Sequence, residues 1–318
     1  MRWLFVIIST VLTVGLVAYV IQSLELGSLE FDLSRELILS LAATAPFYAV
    51  VLGLRGGRIA WVFRGLKEGA VGLGDGAQIA AIHSLSNHLM PFRLGESVFV
   101  IVSRFVFRIP LAKAAGVLFV LRLYDVVALL FLGAIGWTWL RGELYPLALA
   151  VALLVVAARL DWVLSLAGAL LERISERTRR LAPKLRDGAR AIRSPRFVAV
   201  AFCSSLAIWS AQAVFFASIW WAVGEPIAPD LVLVPTAITN LAGFIPASAL
   251  GTFGPLEAGW TAGFVFVGMD RQTAALNGIL MHLVVVLTCM LLSAVFVLRT
   301  GPKLWRAVEE WRRSRNAA

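Results

Sequence analysis

Residues 83–96 read HSLSNHLMPFRLGE, and residues 240–257 read NLAGFIPASALGTFGPLE. In both, an Asn is followed by a Pro, a Gly and then a Glu, in the middle of an otherwise apolar stretch. The wider stretches, 69–108 and 231–268, hold polar groups and helix breakers that an ordinary membrane span does not. The first carries Gln78, His83, Asn87, His88, Pro91, Arg93 and Glu96; the second carries Pro235, Asn240, Pro246, Gly251, Gly254, Pro255 and Glu257. Irregular backbone at membrane depth is tolerated only where it is buried in protein or lines a polar cavity. Each stretch therefore reads as a re-entrant helical hairpin, broken near its middle.

The rest of the chain fits that setting. Of its 318 residues, 60% are hydrophobic and only 15% charged, with a mean hydropathy of +0.85. An ordinary globular domain is about half apolar and about a quarter charged. The composition excludes a soluble enzyme, a disordered chain, a coiled coil and a disulfide-rich secreted domain. Apolar runs at 3–21, 37–54, 111–140, 144–158, 197–223 and 274–298 are candidate full spans, since about 20 helical residues cross the ~30 Å bilayer core. The run 3–21 is followed by Gln22-Ser23-Leu24-Glu25 without a small-x-small cleavage pattern, so it reads as a retained span. Cys203 and Cys289 both sit in apolar runs and make no disulfide framework.

The net charge of +10 reports orientation rather than nucleic-acid binding. Arg2, the 55–68 segment (Arg55, Arg58, Arg64, Lys67), Arg104, Arg108, Lys113, the 159–196 segment and the 299–318 tail together hold 24 of the 29 Lys and Arg residues. Placing them in the cytoplasm leaves only Arg35, Arg141 and Arg271 outside, a strong positive-inside bias. That arrangement requires 69–108 to leave and re-enter on the inner side and 231–268 on the outer side. Both termini are then cytoplasmic. The basic segment 171–196 is expected to lie along the inner leaflet against anionic lipid.

The fold expected is all-α and polytopic, a single integral membrane domain over 1–318 with six full transmembrane helices and two re-entrant hairpins. Each half, 1–143 and 144–298, reads span, span, hairpin, span. Three crossings per half turn the second half upside down relative to the first. Motif spacing agrees: Arg122 follows Glu96 by 26 residues, and His282 follows Glu257 by 25. Inverted repeats with broken helices near the midplane are the usual architecture of secondary transporters.

Charges inside a bilayer helix are costly and therefore informative. Arg122 and Asp125 share a helix face, either as an ion pair that locks neighbouring helices or as a head-group site in which Arg122 binds and Asp125 orients. Glu96 and Glu257 open the second arm of each hairpin, where a carboxylate caps unpaired amides and favours the helix dipole. Two such helix ends facing one another would also make a cavity suited to phosphate or carboxylate, with Arg93 as a donor fork. Asn87, Asn240 and His282 complete the candidate substrate-binding set. His83 and His88 lie on different helix faces; they do not form a zinc motif, and neither a metal nor a cofactor is expected.

The Asn87-His-Leu-Met-Pro91-Phe-Arg93-Leu-Gly95-Glu96 segment, with Arg122-Leu-Tyr-Asp125 after it, resembles the first signature of the lysylphosphatidylglycerol synthase/flippase transmembrane family. The Pro246…Gly251-Thr-Phe-Gly254-Pro-Leu-Glu257 segment resembles the second. The resemblance implies a protein of the bacterial or archaeal cytoplasmic membrane with lipid flipping as its activity. It departs from the family at Phe99 and His282, where an Arg is frequent, and at Thr252, where Gly is usual. About twenty residues follow the last span, so no synthase domain and no lipid aminoacylation are expected.

The leading expectation is a transporter, not an enzyme, that moves a lipid with an anionic or glycosylated head group between leaflets. Its partners would be that lipid and the inner-leaflet anionic lipids, with no nucleic acid; a homo-oligomer is compatible with this architecture. The rivals are an intramembrane lipid-modifying enzyme using Glu96, His88 or Asp125, and a structural or partner-recruiting subunit whose buried charges only join helices.

Overall fold

The computed structural model describes residues 34–65, 71–90, 93–159, 194–245 and 253–316, which are helical apart from caps and turns. The expected first span, 3–21, and the basic segment 171–196 up to residue 193 lie outside the described residues. The helices are α1 (Arg35–Ala42), α2 (Ala45–Gly65), α3 (Leu73–Leu89), α4 (Gly95–Phe105), α5 (Leu111–Arg141), α6 (Tyr145–Ala158), α7 (Pro195–Ala222), α8 (Asp230–Gly243), α9 (Pro255–Phe266) and α10 (Arg271–Asn316).

Among the described residues, four stretches are long and apolar enough to cross a membrane: Arg35–Gly65, Leu111–Arg141, Pro195–Ala222 and Arg271–Ala307. Their outer faces stay apolar, with Phe119, Leu291 and Leu298 exposed as lipid would require. By contrast α3, α4, α8 and α9 have 17, 11, 14 and 12 residues. At 1.5 Å per residue they are about 26, 17, 21 and 18 Å long, short of the ~30 Å core. The 14 residues of α6 reach about 21 Å.

Local sequence explains the breaks. Helix α3 starts where the Asp75 carboxylate accepts from the Gly72 amide at 2.8 Å, so Gly74-Asp75-Gly76 is a helix entry. It stops at Met90, held extended (φ −91°, ψ 140°) in front of Pro91, because proline disfavours a helical predecessor. Helix α9 opens with Pro255 at its first position after Gly254, whose φ of 101° suits glycine.

Helix α2 corrects the expected end of the second span. The chain does not leave the membrane helix at Leu54 but continues to Gly65, and Arg55 and Arg58 project inward rather than into a cytoplasmic loop. Arg58 is buried because Asp125 and Ser205 satisfy its guanidinium there. Two of the basic residues counted toward orientation are thus interior groups. Trp220 is fully buried among Trp260, Phe216 and Phe264 between α7 and α9. Trp139, Trp221 and Trp305 are exposed.

The main packing contacts repeat between the two halves. Helix α3 packs on α2, α4 and α10, and α8 packs on α7, α9 and α5. Likewise α4 packs on α5 as α9 does on α10, and α2 touches α10 as α7 touches α5. Exchanging α2–α5 with α7–α10 maps these contacts onto one another, with the first short helix of each half seated on the long final helix of the other.

Candidate functional site

The first polar cluster forms at the α3–α4 break. Gly95 lets α4 approach α3 closely, since a Cβ there would come within 2.8 Å of Asn87 Cα. That approach brings Glu96 in the first turn of α4 beside His83 and Asn87. Glu96 Oε1 accepts from Arg122 Nη2 at 2.7 Å, and its Oε2 lies 3.3 Å from His83 Nε2. Arg93, itself in the left-handed region (φ 56°), reaches to 3.6 Å of the same carboxylate. The Asn87 amide nitrogen lies 3.0 Å from His83 Nε2, and its Oδ1 is buried without a partner among the described residues.

Arg122 links this cluster to a second. Its Nη1 donates to Asp125 Oδ2 at 3.3 Å. Asp125 is buried and accepts chiefly from Arg58, at 2.6 and 3.3 Å, and from Ser205 at 2.9 Å. One network thus ties α4, α5, α2 and α7 together through Glu96, Arg122, Asp125 and Arg58. Of the two readings for Arg122 and Asp125, the ion pair holds for Asp125, whose main partner is Arg58 and not Arg122.

The third cluster belongs to the second half. Glu257 does both things its position allows. Its Oε2 accepts from the Gly254 amide at 2.8 Å, and its Oε1 accepts from His282 Nδ1 at 2.6 Å. Phe253 stacks on the His282 ring at 3.9 Å between centroids. On the facing side lies His88, with ring centroids 6.2 Å apart, and His88 in turn lies 3.4 Å from the Tyr48 hydroxyl. His83 and His88 therefore serve different clusters, as their spacing on α3 dictates.

Between the clusters lies an internal cavity of about 70 Å³. Among the described residues its charged walls are Arg55, Arg93 and Arg122, and none of them brings a carboxylate to the lining. Ser84, Asn87, Gln212 and Asn240 supply neutral polar groups; Asn240 turns its amide nitrogen back to the Thr236 carbonyl at 2.7 Å. A second, open groove of about 630 Å³ runs along α4 and α5, lined mainly by apolar side chains such as Val100, Ile101, Leu118 and Phe119, with Arg93, Arg122 and their partner Glu96 at its polar end. Cavity and groove share Arg93, Arg122 and Phe244. The Phe244 ring carries Arg93 at 4.6 Å and Arg122 at 5.5 Å from its centroid, which favours cations over its face.

The sequence reading put Asn87, Arg93, Glu96, Arg122, Asp125, Asn240, Glu257 and His282 in one substrate-binding set. The structure joins Asn87, Arg93, Glu96, Arg122 and Asp125 through one network and pairs Glu257 with His282 in a separate cluster, and of the eight only Asn87, Arg93, Arg122 and Asn240 line the cavity. The sequence reading missed Arg55, Arg58, Phe244 and Phe253. The signal for the arginines was the need of Asp125, alone in an apolar helix, for a buried cation. Nothing in the sequence distinguished the two phenylalanines from apolar filler.

Helices of membrane-spanning length around a charged interior cavity define an integral membrane protein with an internal polar site. The chain matches the lysylphosphatidylglycerol synthase TM region over residues 6–293 and belongs to that family. Membership in a transmembrane-region family suggests a membrane, lipid-related role. No curated protein and no solved structure matches the chain.

Proposed function

We propose that the protein is a flippase-like transporter that moves an anionic lipid between the leaflets of the cytoplasmic membrane. The observation that carries this reading is the junction at Arg93, Arg122 and Phe244, where a cavity lined by arginines and, among the described residues, by no carboxylate meets an open, mainly apolar groove. A lipid has the same two-part character. Its phosphate would sit among Arg55, Arg93 and Arg122, and an acyl chain would occupy the groove along α4 and α5. Transport needs no bond to be made or broken, so the reading assigns no catalytic residue.

The architecture in this reading is two inverted-topology repeats with both termini in the cytoplasm, and the pairs α3–α4 and α8–α9 as re-entrant hairpins. The shortness of those four helices supports the hairpins, and the exchange symmetry of neighbours supports the repeats. Glu96–Arg122 and Glu257–His282 would then be equivalent pairs, one in each half. The cavity opens alternately to the two sides as the hairpins rock against the long helices.

A lipid-modifying enzyme is the second reading, and the Glu257–His282 pair favours it as an acid/base couple. Reconstituted vesicles separate the two. Leaflet exchange of a labelled anionic lipid, present with the purified protein and lost in Arg122→Ala and Glu257→Gln variants that still fold, supports transport. Altered lipid products without exchange would replace it with the enzyme reading, and neither signal would leave a structural subunit.

A further inference from the structure

We infer that the internal cavity selects a lipid phosphate whose head group carries no ammonium. This rests on the proposed reading of the cavity as a head-group site and narrows it.

Among the described residues, the interior carboxylates are all taken. Asp125 is held by both nitrogens of Arg58, by Ser205 and by Arg122. Glu96 is held by Arg122, His83 and Arg93. Glu257 has one oxygen on the Gly254 amide and the other on His282. A lipid amine entering the cavity would find no acidic partner on its walls, and it would stand beside three guanidinium groups. Like charges within a few ångströms repel strongly where water is scarce.

Cations, by contrast, are in surplus. Among the described residues, Arg55, Arg58, Arg93 and Arg122 face only Glu96 and Asp125 as interior acids in this region. Arg55 donates to the neutral Ser84 hydroxyl at 3.2 Å and stacks over Trp209. Arg93 makes a long 3.6 Å contact to Glu96 and lies over Phe244. Three buried donors of residues that line this cavity have no partner among the described residues: Arg93 Nε, Arg122 Nε and the Trp209 indole N–H. Each such donor costs free energy until an acceptor arrives. A phosphate brings several acceptor oxygens and negative charge together, and guanidinium forks suit its geometry.

Size is compatible with this. About 70 Å³ is room for a few waters, since about 10–15 Å³ of such space holds one, and a phosphate is of that scale. Asn87, Gln212 and Asn240 can meet ester or hydroxyl oxygens but cannot neutralise an amine.

The test is equilibrium binding of matched-chain fluorescent lipids to the purified full chain in detergent, followed by exchange in vesicles. Phosphatidylglycerol and phosphatidic acid should bind at least tenfold more tightly than phosphatidylethanolamine, lysyl-phosphatidylglycerol and a phosphate-free glycolipid. A preference of phosphatidylglycerol over phosphatidic acid or the reverse tells whether a diester or a monoester is the better fit within the same chemistry. Equal binding across the panel, or tighter binding of any amine-bearing lipid or of the glycolipid, overturns the inference. Gln212→Glu places a carboxylate on the wall and should shrink the gap between phosphatidylglycerol and phosphatidylethanolamine to threefold or less. An unchanged gap in a folded Gln212→Glu protein would put the selection elsewhere. The wild-type panel alone decides the matter if that variant fails to fold. Selective binding without exchange would remove the transport reading and leave the inference standing; exchange without selective binding would do the reverse.

Discussion

Glu257 Oε1 lies 2.6 Å from His282 Nδ1, one helix-opening carboxylate joined to the long helix that follows it. Glu96 and Arg122 repeat the relationship at 2.7 Å in the first half of the chain. In both, the acid stands in the first turn of a short helix and its partner about three turns into the next. The partner types differ: a guanidinium keeps its charge, whereas an imidazole can be neutral or charged.

Removing one member of the second pair leaves a buried polar group with part of its bonding lost. His282→Ala and Glu257→Gln should each destabilise by about 1–3 kcal/mol. The double variant should fall short of the sum by about 0.5–3 kcal/mol, as groups in contact do. Thermal unfolding in detergent measures all three, and full additivity would mean the pair contributes nothing as a pair.

Asp125 is the more costly residue to alter. Asp125→Ala leaves Arg58 and part of Arg122 as buried cations without their acid, a loss of about 3–5 kcal/mol. Replacing Asp125 and Arg58 together with leucine and methionine should recover most of it. A single Asp125→Ala variant as stable as the wild type would contradict the network described.

Two glycines should respond in opposite ways to alanine. Gly95→Ala pushes a Cβ into the Asn87 backbone and should cost about 1–3 kcal/mol by overpacking. Gly116 in α5 has open space around the corresponding position, so Gly116→Ala should stabilise by about 0.5–1 kcal/mol. Melting temperatures of the two variants should move apart from that of the wild type.

Helix α10 begins at an exposed cap. The Thr273 backbone N–H, 2.9 Å from the Asp270 carboxylate, holds that acid below its usual range, and the Thr273 hydroxyl adds to the effect. A folded-state value below the unfolded one gives stability that is present above the ordinary value of about 4 and lost as pH falls through the folded one. Asp270→Ala should therefore melt slightly below the wild type at pH 6, and the gap should close in acid. A gap that widens on acidification would reverse the sign.

The proposed topology makes its own prediction. A cysteine replacing Arg271 should react with an impermeant thiol reagent added outside intact cells. Labelling only after the membrane is opened would remove the inverted arrangement of the two halves.

The sequence singled out the four members of the two pairs, though not their pairing, because a Gly-Glu after a break marks a helix start, and a polar residue inside a later apolar run has few reasons to be there. It hid Arg55 and Arg58 because an arginine soon after an apolar run looks like a loop charge. Only the three-dimensional meeting of α2 with α5 and α7 shows that Asp125 takes one of them in. Phe244 and Phe253 were invisible for a related reason. An aromatic ring in a Gly- and Pro-rich break gains its role from what it stacks on, and that is set by the other half of the fold.

Helix α10 runs unbroken from Arg271 to Asn316 with Pro302 inside it. Its 46 residues amount to about 69 Å at 1.5 Å per residue, more than twice the bilayer core. His282 grips Glu257 near one end, and Arg313 stands 31 residues further along. The helix is therefore a lever arm with its short side in the binding region. A tilt of roughly ten degrees at His282 would swing position 313 by about 8 Å if the arm stays rigid through Pro302. A probe at the far end would magnify motions too small to follow at the pair itself.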